Sequence, residues 1–127
     1  MNEQIKQKWV NALRSGEYEQ CESNLHKNKG FCCLGVLTDI YIQEHPGCSW
    51  KEYGATLRNK ELYYAFVGTK TTEYNEEEYL PVEVVEWADL ASENPCVYID
   101  GIWTNLSDVN DSGWTFEAIA NLIENKL

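Results

Sequence analysis

Lysine and arginine are missing from Thr71 through Asn125, a stretch that carries thirteen aspartate and glutamate residues. Contacts to nucleic-acid phosphates need cationic side chains, so direct nucleic-acid binding is excluded for that half of the chain. No run of about 18 apolar residues occurs, which excludes a membrane-spanning helix. The N-terminal stretch MNEQIKQKWV is polar from its second residue and predicts neither a signal peptide nor a basic transit peptide, so the expected location is the cytoplasm. Histidine is limited to His26 and His45, the candidate bases for a cysteine nucleophile, and nothing in the spacing places either one beside a thiol. The five cysteines (Cys21, Cys32, Cys33, Cys48, Cys96) include no C-x-x-C pair, and their odd number without an export signal excludes a disulfide framework in favour of reduced thiols. Walker, dinucleotide, Ser-His-Asp and zinc-protease patterns are missing too, which weighs against an enzyme and calls for no cofactor and no metal.

What is present fits one globular domain spanning residues 1–127, with 43% hydrophobic and 24% charged residues. The formal charge of −11 is uneven: residues 1–30 hold five basic and four acidic side chains, and the acidic excess lies further on. An acidic half suits either a solvated surface or imitation of a phosphate backbone.

Hydrophobic periodicity divides the chain. Ile5, Trp9, Val10 and Leu13 predict a helix over residues 2–14, stopped by Ser15 and Gly16. Residues 17–30 read as a short extended excursion with a turn at Asn28-Lys29-Gly30. Phe31, Leu34, Leu37, Ile40 and Tyr41 predict a central helix ended by His45-Pro46-Gly47. Residues 48–79 carry little signal; Leu62–Val67 reads as a strand or a short helix, and the polar stretch GTKTTEYNEEE as a loop. Pro81 and Glu83 predict a short helix over residues 81–90. Asp100-Gly101 joins two β-rich runs in a tight hairpin. Thr115 caps a last helix with a stripe of Phe116, Ile119, Ala120 and Ile123. The expected fold class is therefore α+β, a single small domain, mainly helical with a short β-hairpin.

Three stretches raise chemistry. Cys32 and Cys33 stand at the start of the central helix, where backbone N–H groups favour a thiolate, yet adjacent helical residues point about 100° apart and cannot share one metal. Interior packing is their expected role, and Gly35 beside them implies close approach of a neighbouring segment. DVNDSGWTFEAI, residues 108–119, imitates a calcium loop, but Ile119 stands where the bidentate glutamate belongs and a hairpin rather than a helix precedes it. Asn110, Asp111 and Ser112 read instead as a turn feeding the last helix. LRSGEYEQ, residues 13–20, and NDSGW, residues 110–114, are polar loops with aromatic residues, the composition of a small-ligand site. Arg14 would supply charge, Tyr18 or Trp114 a stacking face, and Ser15, Gln20, Asn110 and Ser112 hydrogen bonds, with Lys27 or Lys29 assisting at phosphates. The alternative for the first loop is an ordinary helix end followed by a surface turn.

Four blocks, S-G-x-Y-x-Q at Ser15–Gln20, F-C-C-L-G-V at Phe31–Val36, Y-L-P-x-x-V-x-x-W at Tyr79–Trp87 and N-D-x-G-x-(S/T)-F-x-x-I-A at Asn110–Ala120, together resemble a family of small proteins encoded by tailed bacteriophages. The resemblance attaches no activity to the chain. It implies a phage protein acting in the cytoplasm of an infected bacterium against host antiviral defence. The leading expectation is a non-enzymatic protein that sequesters a nucleotide-derived immune signal in a pocket between the two polar loops. Its rival is a protein-on-protein inhibitor that presents the acidic surface, Glu73 to Glu93 with Asp100, Asp108 and Asp111, to a nucleic-acid-binding host enzyme. A third reading is a hydrolase using Cys32 or Cys33 with His26. Self-association stays open in all three.

Overall fold

The side chain of Asn2 accepts a hydrogen bond from the Ile5 backbone N–H at 3.0 Å and so caps helix α1, Glu3–Arg14. In the computed structural model, which describes residues 1–55, 57–69 and 76–127, α1 buries the predicted stripe of Ile5, Trp9, Val10 and Leu13. Gly16 follows it with φ +77°, the left-handed conformation that glycine takes without strain after a helix. Strands β1 (Glu19–Gln20), β2 (His26–Lys27) and β3 (Gly30–Phe31) fill the predicted extended excursion.

Helix α2, Cys33–Glu44, is central, and most of its residues through Thr38, together with Tyr41, are buried. A helix that is apolar on nearly every side must be covered on every side. Helix α1 covers one: the Trp9 indole N–H donates to the Cys33 carbonyl at 2.9 Å. The last helix, α5 (Phe116–Lys126), lies along α1 with Ile119, Ala120 and Ile123 fully buried, and Thr115 caps it by accepting from the Ala118 N–H at 3.2 Å. Ile119 and Ile123 each contribute roughly 1.5–3 kcal/mol by leaving water.

A mixed sheet covers another side of α2. Strands β4 (Ser49–Tyr53) and β5 (Tyr63–Val67) complete it in the order β1-β3-β2-β5-β4, antiparallel throughout except for the parallel β1–β3 pair. His26 stands opposite both Phe31 and Tyr64 in register, and its ring stacks between theirs at 3.9 Å on each side. Helix α3 (Val82–Ala88) ends at Asp89 in the left-handed conformation, φ 54°. Strands β6 (Cys96–Ile99) and β7 (Ile102–Asn105) form the predicted hairpin, with positive φ at both Asp100 and Gly101 as a type I′ turn requires.

Two expectations need correction. Helices hold 40% and strands 21% of the structure, so the fold is α+β but not mainly helical. Two-residue strands are too short to show alternation, and β4 is almost wholly exposed, so the five-stranded sheet left no period-two signal. The turn expected at Asn110–Ser112 is instead the end of a helix, α4 (Leu106–Asp111), which packs Leu106, Val109 and Asn110 inward. Residue 56 and residues 70–75, inside the stretch read as a polar loop, lie outside the described residues, as does Glu73 of the acidic surface.

Candidate functional site

The two polar loops meet. Gln20 Nε2 donates to Asn110 Oδ1 at 2.9 Å and to the Trp114 carbonyl at 2.8 Å, joining positions ninety residues apart. Asn110, only 1% exposed, also accepts from the Cys33 N–H (3.1 Å) and donates to the Cys21 carbonyl (2.8 Å) and Asp111 Oδ1 (3.1 Å). The polar atoms that the sequence nominated for a ligand are thus bonded to the protein. Arg14 joins α1 to α5, donating to Glu124 Oε2 (3.0 Å) and Asn121 Oδ1 (2.6 Å), with Glu117 at 3.9 Å. Its bond to Glu124 raises the guanidinium pKa and holds that carboxyl below its usual range. Tyr18 donates to Asp39 Oδ2 at 2.7 Å, and burial first, then Asp39, keeps its hydroxyl protonated. Ser15 and Ser112 bond back to the helices they terminate, at Ala12 O and Asp108 O. Trp114 remains partly exposed.

Lys27 stands apart from this cluster. With Lys29, Gln20, Cys21 and Gly30 it lines a recess of about 380 Å³ between β1 and the β2–β3 turn, where its Nζ is 3.8 Å from Glu61. A smaller hollow of about 210 Å³ between the loop at Ser23 and α4 has Glu78, Asp108 and Asp111 on its walls. Among the described residues no three His, Cys, Asp or Glu side chains gather so as to hold a metal ion. No helix among them is long and apolar enough to cross a membrane.

The tandem thiols are interior. Cys32 caps α2, its Sγ accepting from the Gly35 N–H at 3.4 Å, but burial pushes the thiol up to about 12. Cys33 is fully buried and raised for the same reason. Desolvation therefore outweighs the helix terminus, whose N–H groups act the other way. His26, the base a hydrolase would need, is held in its aromatic stack with Nδ1–H donating to the Gly30 carbonyl at 2.7 Å, and burial lowers its pKa. With a disulfide-exchange dye, exposed Cys96 should react first in the native protein, and Cys32 and Cys33 only after denaturant is added. Rapid native labelling of either would restore the hydrolase reading.

The β6–β7 hairpin carries a feature that sequence reasoning missed. Tyr98 and Trp103 pair across the strands on the outward face, with ring centroids 5.3 Å apart, and Trp103 is 70% and Ile102 67% exposed. At its base Trp103 walls a groove of about 380 Å³ with Leu90, Pro95, Cys96 and Leu127, edged by Asp89. The turn adds exposed Asp100. Among the described residues, exposed Glu78, Glu86, Asp89, Glu93, Asp100 and Asp108 have no ion pair. The alternation of Val97 inward and Tyr98 outward was the available signal; an outward pair of large aromatics is unusual on a surface with no partner.

A family described as a domain of unknown function, DUF8296, has a model that matches residues 1–127. No curated protein and no solved structure matches the chain.

Proposed function

The chain belongs to the DUF8296 family, and we propose that it is a non-enzymatic binding protein that docks its acidic, aromatic-studded hairpin face onto a basic surface of another protein. In the phage setting implied by its sequence blocks, that partner is a host defence enzyme whose basic surface serves nucleic acid. The observation that carries this reading is the coincidence of exposed Tyr98 and Trp103, paired on one face of the hairpin, with exposed Asp89 and Asp100, which form no ion pair among the described residues. Aromatic anchors supply binding energy at interface centres, whereas a charged rim governs encounter rate and partner choice.

The test is capture from a bacterial lysate by the immobilised protein, with three challenges to whatever is retained. The retained protein should be released steeply between about 0.05 and 0.5 M salt, as the screening length shrinks to a few ångströms. Duplex DNA should displace it. Trp103→Ala and the pair Asp89→Lys with Asp100→Lys should each reduce retention at least tenfold. Retention insensitive to salt, DNA and all three substitutions would remove the proposal.

The nucleotide-sequestration reading keeps one specific support, the recess bearing Lys27 and Lys29 beside Gln20. Calorimetric titration with cyclic and ADP-ribose-type nucleotides, repeated on Lys27→Ala and Lys29→Ala, separates it from the first: heat that disappears in those variants while Trp103→Ala leaves it unchanged would favour the recess.

A further inference from the structure

We propose that the groove at the base of the β6–β7 hairpin is a socket for one arginine side chain of the partner protein, with the guanidinium against the Trp103 ring and paired with Asp89. This inference rests on the docking reading above and names the residue type that the hairpin face recognises. The groove has a volume of about 380 Å³, at the lower end of the roughly 300–1,000 Å³ typical of small-ligand sites. It accepts a side chain rather than a folded element.

Asp89 is a residue that local structure does not explain. It ends α3 in the left-handed conformation, φ 54° and ψ 49°, where glycine or asparagine ordinarily stands. Its charge is also misplaced for the helix: the last turn of α3 contains no basic residue, and a carboxylate there faces the negative end of the helix dipole. The backbone is pinned nonetheless, the Asp89 N–H donating to the Glu86 carbonyl at 3.2 Å and the Leu90 N–H to the Val85 carbonyl at 3.0 Å. The carboxylate is exposed and makes neither an ion pair nor a side-chain hydrogen bond among the described residues. A conformation and a charge that both work against the fold point to a role outside it.

Trp103 supplies the ring face. It is 70% exposed, and its one ring contact among the described residues is with Tyr98, at 5.3 Å and 58°, which leaves most of the indole open. Leu90, Pro95 and Leu127 complete an apolar lining. No lysine or arginine lines the groove, and the amino group of Met1, which does, forms no ion pair among the described residues. An occupant must therefore combine an apolar stem with positive charge. Arginine does both: its methylenes lie along apolar surface while the planar guanidinium stacks on an indole and offers paired N–H donors to a carboxylate. Lysine has the stem and the charge but not the planar fork. A neutral side chain would cover the ring and desolvate Asp89 without compensation, and an anion would meet like charge.

The experiment is a titration of the whole chain with N-acetyl-leucyl-arginine amide and with its counterparts carrying lysine or citrulline, the uncharged isostere, followed by ¹H–¹⁵N correlation spectra. Saturable shifts of the Trp103 indole and of the Leu90 and Cys96 amides are expected with the arginine peptide, with binding severalfold weaker for lysine and at least tenfold weaker for citrulline. Asp89→Asn should reduce arginine binding to the citrulline level while raising the urea midpoint, because asparagine suits the left-handed helix end and carries no charge. Trp103→Phe should keep more of the binding than Trp103→Leu. Equal binding of the arginine and citrulline peptides, shifts centred outside the groove, no saturation below about 10 mM, or a lowered midpoint in Asp89→Asn would each overturn the assignment. Lysate capture separates it from the docking reading. Asp89→Asn that leaves retention unchanged, while salt and DNA still release the captured protein, would overturn the arginine socket alone. Retention that ignores salt, DNA and Trp103→Ala would defeat the docking reading, and the peptide titration would then judge the groove by itself.

Discussion

Gly35→Ala is expected to cost more than about 3 kcal/mol and to leave little folded protein at 37 °C, although the same change within an ordinary helix adds roughly 1 kcal/mol of stability. The reversal of sign comes from one close approach. A Cβ on residue 35 would occupy the position of the Leu25 carbonyl oxygen and lie 2.6 Å from its carbon and 3.1 Å from its Cα. Backbone atoms cannot rotate aside as the end of a side chain can. Leu25 is also held on every side: its N–H donates to the Glu77 carbonyl at 2.7 Å, its own carbonyl accepts from the Cys32 N–H at 3.1 Å, and its side chain is fully buried. Relieving the overlap means moving α2 away from the segment that leads into β2, which opens the core around Leu34 and Leu37. Total stability for a domain of this size is about 5–15 kcal/mol, so such a loss takes a large share of it. Urea denaturation followed by tryptophan fluorescence provides the check. A midpoint equal to that of the parent would mean that Leu25 yields at little cost and that the close approach constrains nothing.

Gly35 also shows how far the chain was readable without coordinates. A glycine inside an apolar helical stretch announces that a neighbour comes close, and the helices themselves announced their buried faces through three- and four-residue spacing, from Ile5–Leu13 to Phe116–Ile123. The hairpin was legible because Asp-Gly is one of few pairs that accept positive φ twice in succession. The sheet was not. Its pairings join residues 19–20, 26–27 and 30–31 to a strand at 63–67, and no property of a two-residue strand names its partner. Helix α4 was hidden for a related reason: six residues give it less than two turns, and Asn105 ahead of it makes no side-chain cap bond.

The candidate ligand residues show a different limit. Composition placed Gln20 and Asn110 in polar loops and suggested that they converge, and their side chains are indeed 2.9 Å apart. Residue type says that an amide will make hydrogen bonds; it does not say whether with a ligand or with the chain. Arg14 is the same case, a cation in a basic quarter whose partners, Glu117, Asn121 and Glu124, lie more than a hundred positions away. Glu83 is the reverse case: it reads as first-turn charge on a short helix, yet it is buried and accepts from the Tyr41 hydroxyl at 3.1 Å.

Asn110→Ala should lower stability by about 3 kcal/mol, which for a chain of this length displaces the melting temperature by roughly 10 °C. An asparagine amide has two acceptor positions and two donor hydrogens, and here all four are used, by Cys33 N–H, Gln20 Nε2, the Cys21 carbonyl and Asp111. The bond to Cys33 matters most. The first N–H groups of a helix lack partners within it, and a cysteine at the cap is a weak acceptor, so Asn110 supplies from α4 what α2 does not provide for itself. Alanine would leave a buried N–H and a half-buried carbonyl without their partner, at roughly 1–3 kcal/mol for the first and less for the second. Gln20→Ala is the contrast: Gln20 is exposed and its loss frees no buried backbone group, so about 1 kcal/mol is expected. Asn110→Asp keeps the acceptor for Cys33 but sets a carboxylate against the Cys21 carbonyl and Asp111, and should fall nearer to alanine than to the parent. If thermal melts place Asn110→Ala within about 1 kcal/mol of the parent, the amide is not a structural pin. Its four bonds would then be replaceable by water, and the junction of the two loops would be open to a ligand after all.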